Sequence, residues 1–332
     1  MTAVRGLVWP PQRHLGFCVR FRLFTELSRF GVGNRLLRHH ASGPPLGFPA
    51  AGEAPAVAPG ATLRLAGLGL ARLFGVVAKQ RYVLLRELVS YCDRVLGIPA
   101  FPDYDGAWNG LQVENDGRVH RLAAAVDASL VTARMAAEAR ADLLLVHHGL
   151  FWSVRQPWTG RNRQLWQVLS AHNLAVYSAH LPLDAHPRWG NNRGLCTALG
   201  WRPRQRFFLW KGRPIGWEVH TRISREALQA KLERVVGGPV RLLAGGPAVC
   251  RRIGVVTGGA GGELKQAAEA GLDTFITGEG PHWTHALAEE LGLNVFYAGH
   301  YATETFGVKA LAAHLSRRFG LPWVFLDHPS GL

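Results

Sequence analysis

The stretch Asp142-Leu-Leu-Leu-Val-His-His-Gly149 decides the fold. Four consecutive apolar residues bounded by polar ones suit a short strand covered on both faces, as in a parallel sheet. The run ends in adjacent histidines, so it delivers metal-ligand side chains at the carboxyl end of the strand, where ligands bind in open parallel sheets. Working outward, a strand is expected over 122–127, a helix from the Ser129 cap to about residue 140, a helix over 163–173 and a strand over 174–178.

The same series recurs downstream. Strands are expected over 252–257, 273–277 and 294–298, with helices over 263–270 and 283–291 between them. A last helix over about 305–319 and a strand over 322–326 follow. Shifting the sequence by 131 residues lays Glu138, Asp142, Gly149 and Trp152 on Glu269, Asp273, Gly280 and Trp283. Shifting it by 120 lays Tyr177, His180 and Asp184 on Tyr297, His300 and Glu304. The fold class expected is α/β: two related βαβ-rich halves with mostly parallel sheets and a metal site between them. Four segments are expected: residues 1–80 as an extension, 81–200 as the first half, 201–247 as a less regular middle that could form a small αβ appendage, and 248–332 as the second half.

Each candidate ligand also has an ordinary reading. Adjacent residues on a strand point to opposite faces, but at a strand end the chain turns, and His147 and His148 can then serve different ions. Taken alone, a His-His pair is as well read as two loop residues, the reading that suits His39-His40. His300 and Glu304, four apart at a helix entry, share one face. The alternative there is a solvated helix start with Glu304 favoured by the dipole. His180 and Asp184 have the same spacing, but Pro182 intervenes and places them on a loop. Asp184 is the better ligand candidate, and His180 can instead orient it. Glu279, the repeat partner of His148, is a general base or hydrogen-bond acceptor in the site, or a cap for the next helix. Asp127 is a site residue or a turn former. Gly258-Gly-Ala-Gly-Gly262 suggests an anion-cradling turn, without the Lys-Ser/Thr of a nucleotide-binding P-loop. Co-occurrence at matching strand ends favours the site over the separate ordinary readings.

Four scattered cysteines, Cys18, Cys92, Cys196 and Cys250, lack zinc-finger or redox spacing. They read as reduced thiols of a cytoplasmic protein, so a metal site here uses nitrogen and oxygen. The net charge of +15 invites a nucleic-acid reading, but residues 1–80 hold 10 Lys and Arg against 2 acids, leaving 28 against 21 in the rest. No aromatic RNA-binding signature, helix-turn-helix or zinc finger accompanies that charge. Residues 1–80 are a disordered basic extension, a targeting segment or a misassigned start. The apolar stretch 63–77 is too short and too charged to span a membrane.

From about Val83 onward the chain resembles the Nif-three-like dinuclear-metal-binding hexameric family, the GTP cyclohydrolase type 2 homologues. The resemblance rests on Asn109-Gly-Leu-Gln-Val113, Val146-His-His-Gly-Leu-Phe-Trp152, Ala179-His-Leu-Pro-Leu-Asp-Ala-His-Pro187, Gly190-Asn-Asn192, Ile276-Thr-Gly-Glu279 and Gly299-His-Tyr-Ala-Thr-Glu304. It is closest to the short bacterial form, and residues 1–80 have no counterpart in it. The resemblance implies two divalent ions per subunit held by His147, His148, Asp184, His300 and Glu304, with Glu304 as the candidate bridge. It also implies a ring-shaped homohexamer. One departure is Thr305, where relatives often carry a charged residue after the glutamate.

The function this resemblance implies is that of a metal-dependent hydrolase. The family label implies ring opening of GTP and release of formate; in such a reaction Glu279 or His180 could move protons. Mixed His and carboxylate ligation suits Zn, Mn, Fe or Co. A phosphatase or nuclease would use the same ions. The non-catalytic alternative is a metal-binding scaffold or regulator with a protein or nucleic-acid partner.

Overall fold

The computed structural model describes residues 82–151, 157–203 and 205–332. The expected extension over 1–80 and the repeat residue Trp152 lie outside the described residues. The first series comprises β1 (Val83–Leu84), α1 (Leu85–Leu96), β2 (Gly110–Val113), β3 (Arg118–Val119), β4 (Leu122–Asp127), α2 (Leu130–Glu138), β5 (Leu143–His148), α3 (Gly160–Ala171), β6 (Ala175–Ser178), α4 (Leu181–Asp184) and α5 (Asn191–Ala198). The second comprises β7 (Gln205–Trp210), β8 (Arg213–Ser224), α6 (Arg225–Val236), β9 (Arg241–Ala244), β10 (Val249–Val255), α7 (Leu264–Glu269), β11 (Thr274–Thr277), α8 (Thr284–Glu290), β12 (Asn294–Tyr297), α9 (His300–Phe319) and β13 (Trp323–Phe325).

Two mixed sheets result, and they are built alike. The first runs β13-β4-β5-β6-β2 and the second β7-β8-β10-β11-β12-β9. At the centre of each lie three parallel strands, β4-β5-β6 and β10-β11-β12. Each trio is flanked by an antiparallel strand on its third member, β2 on β6 and β9 on β12. The 201–247 segment is therefore no appendage. Its strands β7, β8 and β9 are built into both margins of the second sheet, because β8 pairs along β10 and β9 along β12.

Alternation along the strands fills both faces. Leu122, Ala124, Leu143 and Leu145 face α1 and α9, while Ala123, Ala125, Leu144 and Val146 face α2 and α3. All eight are buried, which is why the run after Asp142 shows no amphipathic period. A buried leucine of this kind, cut to alanine, costs about 2–5 kcal/mol.

Part of the repeat is explained by strand starts. The Asp142 carboxylate accepts from the backbone N–H groups of His120 and Arg121, just before β4. The Asp273 carboxylate does the same for Arg251 and Arg252 of β10. Both aspartates thus tie the start of a central strand to its neighbour.

The halves exchange their last elements. After β6, α5 crosses to the second sheet, where Leu195, Cys196 and Leu199 pack with Val255, Ile276 and Phe296. After β12, α9 crosses to the first sheet, where Val308, Leu311 and Leu315 pack on Leu122, Leu143 and Leu145. The chain then adds β13 beside β4. This crossing brings the carboxyl ends of both parallel trios together. No helix among the described residues is long and apolar enough to cross a membrane.

Candidate metal centre

Both histidines of the Asp142–Gly149 stretch lie inside β5 rather than beyond it. His147 is fully buried, and its ring is set by an Nδ1 contact of 2.9 Å to the Ala179 carbonyl oxygen. A carbonyl only accepts, so Nδ1 carries the proton and Nε2 points inward. His148 is held by Asp127, with Nδ1 to Oδ1 at 2.8 Å. Asp127 is therefore a site residue rather than a turn former.

His180 caps α4, and Asp184 ends it. The loop expected from Pro182 is instead this short helix, because a proline in the first turn gives up only an N–H that has no intrahelical partner. His180 Nδ1 meets Asp103 Oδ1 at 2.8 Å. Asp184 Oδ1 is held by Asn191 Nδ2 at 2.7 Å, and Asn191 Oδ1 in turn accepts from the Gly307 N–H inside α9. The neighbouring Asn192 receives the Thr257 N–H and hydroxyl and donates to the Ile215 carbonyl, joining α5 to the end of β10. Asn109, Asn191 and Asn192 stand in the family motifs without a role legible in the sequence, and no motif marks Asp103.

On the opposite side, α9 begins at His300, several residues before the helix expected from 305, and places His300 and Glu304 on one face. Glu279 does not cap α8. Its Oε1 receives His300 Nδ1 at 2.7 Å. Gly258 has φ +72°, and a Cβ there would collide with Glu304 Oε1. The glycine run thus lets the backbone pass directly under the buried carboxylate.

Glu304 is the hub. Its Oε1 lies 3.4 Å from His147 Nε2, while its Oε2 lies 3.3 Å from His148 Nε2 and 3.2 Å from His300 Nε2. Asp184 Oδ2 lies 3.4 Å from His147 Nε2. Two donor groups therefore share one carboxylate: His147, Asp184 and Glu304, and His148, His300 and Glu304. A third grouping joins His147, His148 and His180. Within each group the ligand atoms lie within 4.8 Å of one another. All five expected ligand residues are brought together, with His180 and Glu279 beside them.

The imidazoles and carboxylates of the cluster hold one another in their charged forms. Burial works against a charged His147, but the carboxylates of Asp184 and Glu304 outweigh it and hold the imidazole well above its usual range. Burial likewise opposes ionisation of Glu304, yet the imidazoles of His147, His300 and His148 keep it well below the carboxylate range. Burial would lower His300 as well, but Glu304 and Glu279 carry it to about 9. His180 goes the other way: burial lowers it, and Asp103 opposes this only in part. In addition, His147 Nε2 and Glu304 Oε2 are buried without a hydrogen bond. Such atoms carry a cost that a bound cation would remove. Imidazole nitrogens and carboxylate oxygens form a donor set that fits Zn, Mn, Fe or Co. Cys92, Cys196 and Cys250 are free thiols buried in the hydrophobic clusters.

Comparison with known proteins gives a consistent result. The family model described as Duf34/NIF3 (NGG1p interacting factor 3) matches residues 83–330. A Deinococcus radiodurans protein named GTP cyclohydrolase 1 type 2 homolog is 41% identical over 248 residues, covering 74% of this chain and 94% of that protein. An Archaeoglobus fulgidus protein of the same name is 38% identical, covering 75% of this chain and 99% of that one. Among solved structures, TTHA1606 from Thermus thermophilus superposes with a TM-score of 0.69 at 42% identity, covering 75% of this chain and all of that one.

Proposed function

Since the chain belongs to the Duf34/NIF3 family, we propose that it is a metal-dependent hydrolase that holds two divalent ions between its halves and acts on a nucleotide-like small molecule, with GTP as the first candidate. The single observation that carries this reading is the Glu304 carboxylate, whose two oxygens face two different sets of histidine donors. One ion would be held by His147, Asp184 and Glu304, and the other by His148, His300 and Glu304. When bound, such ions polarise an electrophile and make water a nucleophile at neutral pH.

The protein's own groups supply orientation and proton transfer. Ala179, Asp127 and Glu279 fix the rings of His147, His148 and His300 through Nδ1, so that each presents Nε2. Glu279 is half-exposed and bound to His300, which suits proton exchange between the site and solvent. His180 is more deeply buried beside His147 and His148, with ring centroids 4.9 and 5.5 Å away. It is the group positioned to take or give a proton at the reacting atoms. Opening the imidazole ring of a purine and losing its carbon as formate requires such proton traffic in both directions.

The name shared by the relatives supports GTP as the first substrate to test. We further propose that the chain assembles as a homohexamer of the short form of the family. Metal-loaded protein incubated with GTP and assayed for formate tests the hydrolase reading. Formate release that disappears in Glu304→Gln supports it, and metal-loaded protein inert toward GTP and other nucleotides contradicts it.

A further inference from the structure

Asp103 is a buried carboxylate with both oxygens committed. Its side chain is only 5% exposed, and its Oδ1 meets His180 Nδ1 at 2.8 Å and accepts the Tyr104 N–H at 2.7 Å. Its Oδ2 accepts from Asn109 Nδ2 at 2.8 Å and from the Leu181 N–H at 3.1 Å. Asn109 closes the ring of contacts, because its Oδ1 accepts the His180 backbone N–H at 2.7 Å. Two residues far upstream in sequence therefore grip both the imidazole and the backbone of His180. The loop that carries Asp103 is tied in turn to the second sheet. Lys211, at the tip of the β7–β8 hairpin, donates to the Asp103 carbonyl at 2.8 Å and to Asp105 Oδ1 at 3.0 Å. The Tyr104 ring packs on Trp210 with centroids 4.2 Å apart.

We propose that Asp103 is a positioning residue that fixes the tautomer of His180, keeping the proton on Nδ1 so that Nε2 is presented to the metal centre as an acceptor. This rests on the reading of His180 as the proton-moving group. A carboxylate can only accept, so in the neutral ring the shared hydrogen belongs to Nδ1. One ring nitrogen of His180 lies within 4.8 Å of ring nitrogens of both His147 and His148. With Nδ1 turned to Asp103, that nitrogen is assigned as Nε2.

Each oxygen of this carboxylate meets two groups: the Asn109 amide and the Leu181 N–H at Oδ2, the imidazole and the Tyr104 N–H at Oδ1. Asp103→Asn could turn either way in such a cradle, so the sharper variant is Asp103→Ala, which removes the acceptor that His180 Nδ1 meets. The proton is then no longer held on Nδ1, and the ring shifts toward the Nε2–H form. The group facing the metal centre changes from acceptor toward donor.

The experiment is long-range proton–nitrogen NMR on the full chain, metal-free and nitrogen-15-labelled at histidine, at mildly alkaline pH. His180→Ala identifies the signal. The expected result is the Nδ1–H tautomer in the wild type and a shift of the population toward Nε2–H in Asp103→Ala. A purely structural role for Asp103 would not produce that shift. A wild-type His180 in the Nε2–H form overturns the proposal and needs no folded variant, and so does an undiminished Nδ1–H form in Asp103→Ala. Because the tautomer is read without metal, its failure is distinguishable from failure of the metal reading, which appears as wild-type protein that takes up no ion.

Discussion

His147 and Glu304 come from β5 of the first sheet and from α9, the helix that follows the second sheet, yet they face each other with Nε2 3.4 Å from Oε1 and both side chains almost wholly buried. Besides their apolar packing, the two halves therefore meet in a buried charged contact. Each half alone would bury an incomplete donor set, and only the crossing of α9 onto the first sheet completes it.

Glu304 is shared, so its loss should differ in kind from the loss of a peripheral donor. Glu304→Gln is expected to abolish binding of both ions, whereas His300→Ala removes a donor from one group only. Metal titration followed by calorimetry reads the difference. Equal residual stoichiometry in the two variants would contradict a shared carboxylate.

Gly258 sets how closely the backbone can approach that carboxylate. Gly258→Ala must adopt φ +72° and place a Cβ against Glu304 Oε1. The left-handed backbone alone costs about 1–2 kcal/mol, and the displaced carboxylate should lower metal affinity as well. A melting temperature and a metal affinity both equal to wild type would contradict the predicted close approach.

Asn191 joins Asp184 to the interior of α9. Asn191→Ala leaves the Gly307 N–H and one Asp184 oxygen without this partner. Each unmet buried group costs about 1–3 kcal/mol, and loss of an orienting partner lowers metal affinity about 10–100-fold. Denaturant melts and a competitive chelator assay measure the two effects separately.

The charge balance predicts a pH signature that metal removes. His300 is raised from 6.5 to about 9, so its contribution to stability is fully present below its unfolded value and is lost as pH rises through about 9. Metal-free protein should therefore lose melting temperature between about pH 6.5 and 9 through this group. Metal binding must displace that proton, so affinity should rise over the same interval. Calorimetry in buffers of different ionisation enthalpy would register the released protons. Metal affinity independent of pH across that interval would contradict the assignment.

Much of this arrangement could be read from residue order, because the parallel trios depend on local signals. The apolar run before His147 and the Ser129 cap each mark an element directly; Ser129 and Thr132 form the reciprocal capping box. The five candidate ligands were legible because strand ends and the repeat placed them at one edge. The partners that hold them were not. Asp103 lies 77 positions from His180, and no period or motif connects the two. Asn191 reads as a helix-start residue until α9 is packed against it. The place of β7, β8 and β9 was hidden for a similar reason, since strand order in a sheet depends on long-range pairing and leaves no mark on local pattern. The start of α9 at His300 was obscured by the run Tyr-Ala-Thr-Glu-Thr, whose threonines are weak helix formers held here by burial.

The most direct test is the metal content of the purified full chain by elemental analysis, with wild type beside His147→Ala and Glu304→Ala. A centre bridged by Glu304 predicts about two divalent ions per chain in the wild type, as a two-ion site requires, with a clear loss in both variants. Wild-type protein that holds no divalent ion after reconstitution, or variants that hold as much as wild type, would contradict it.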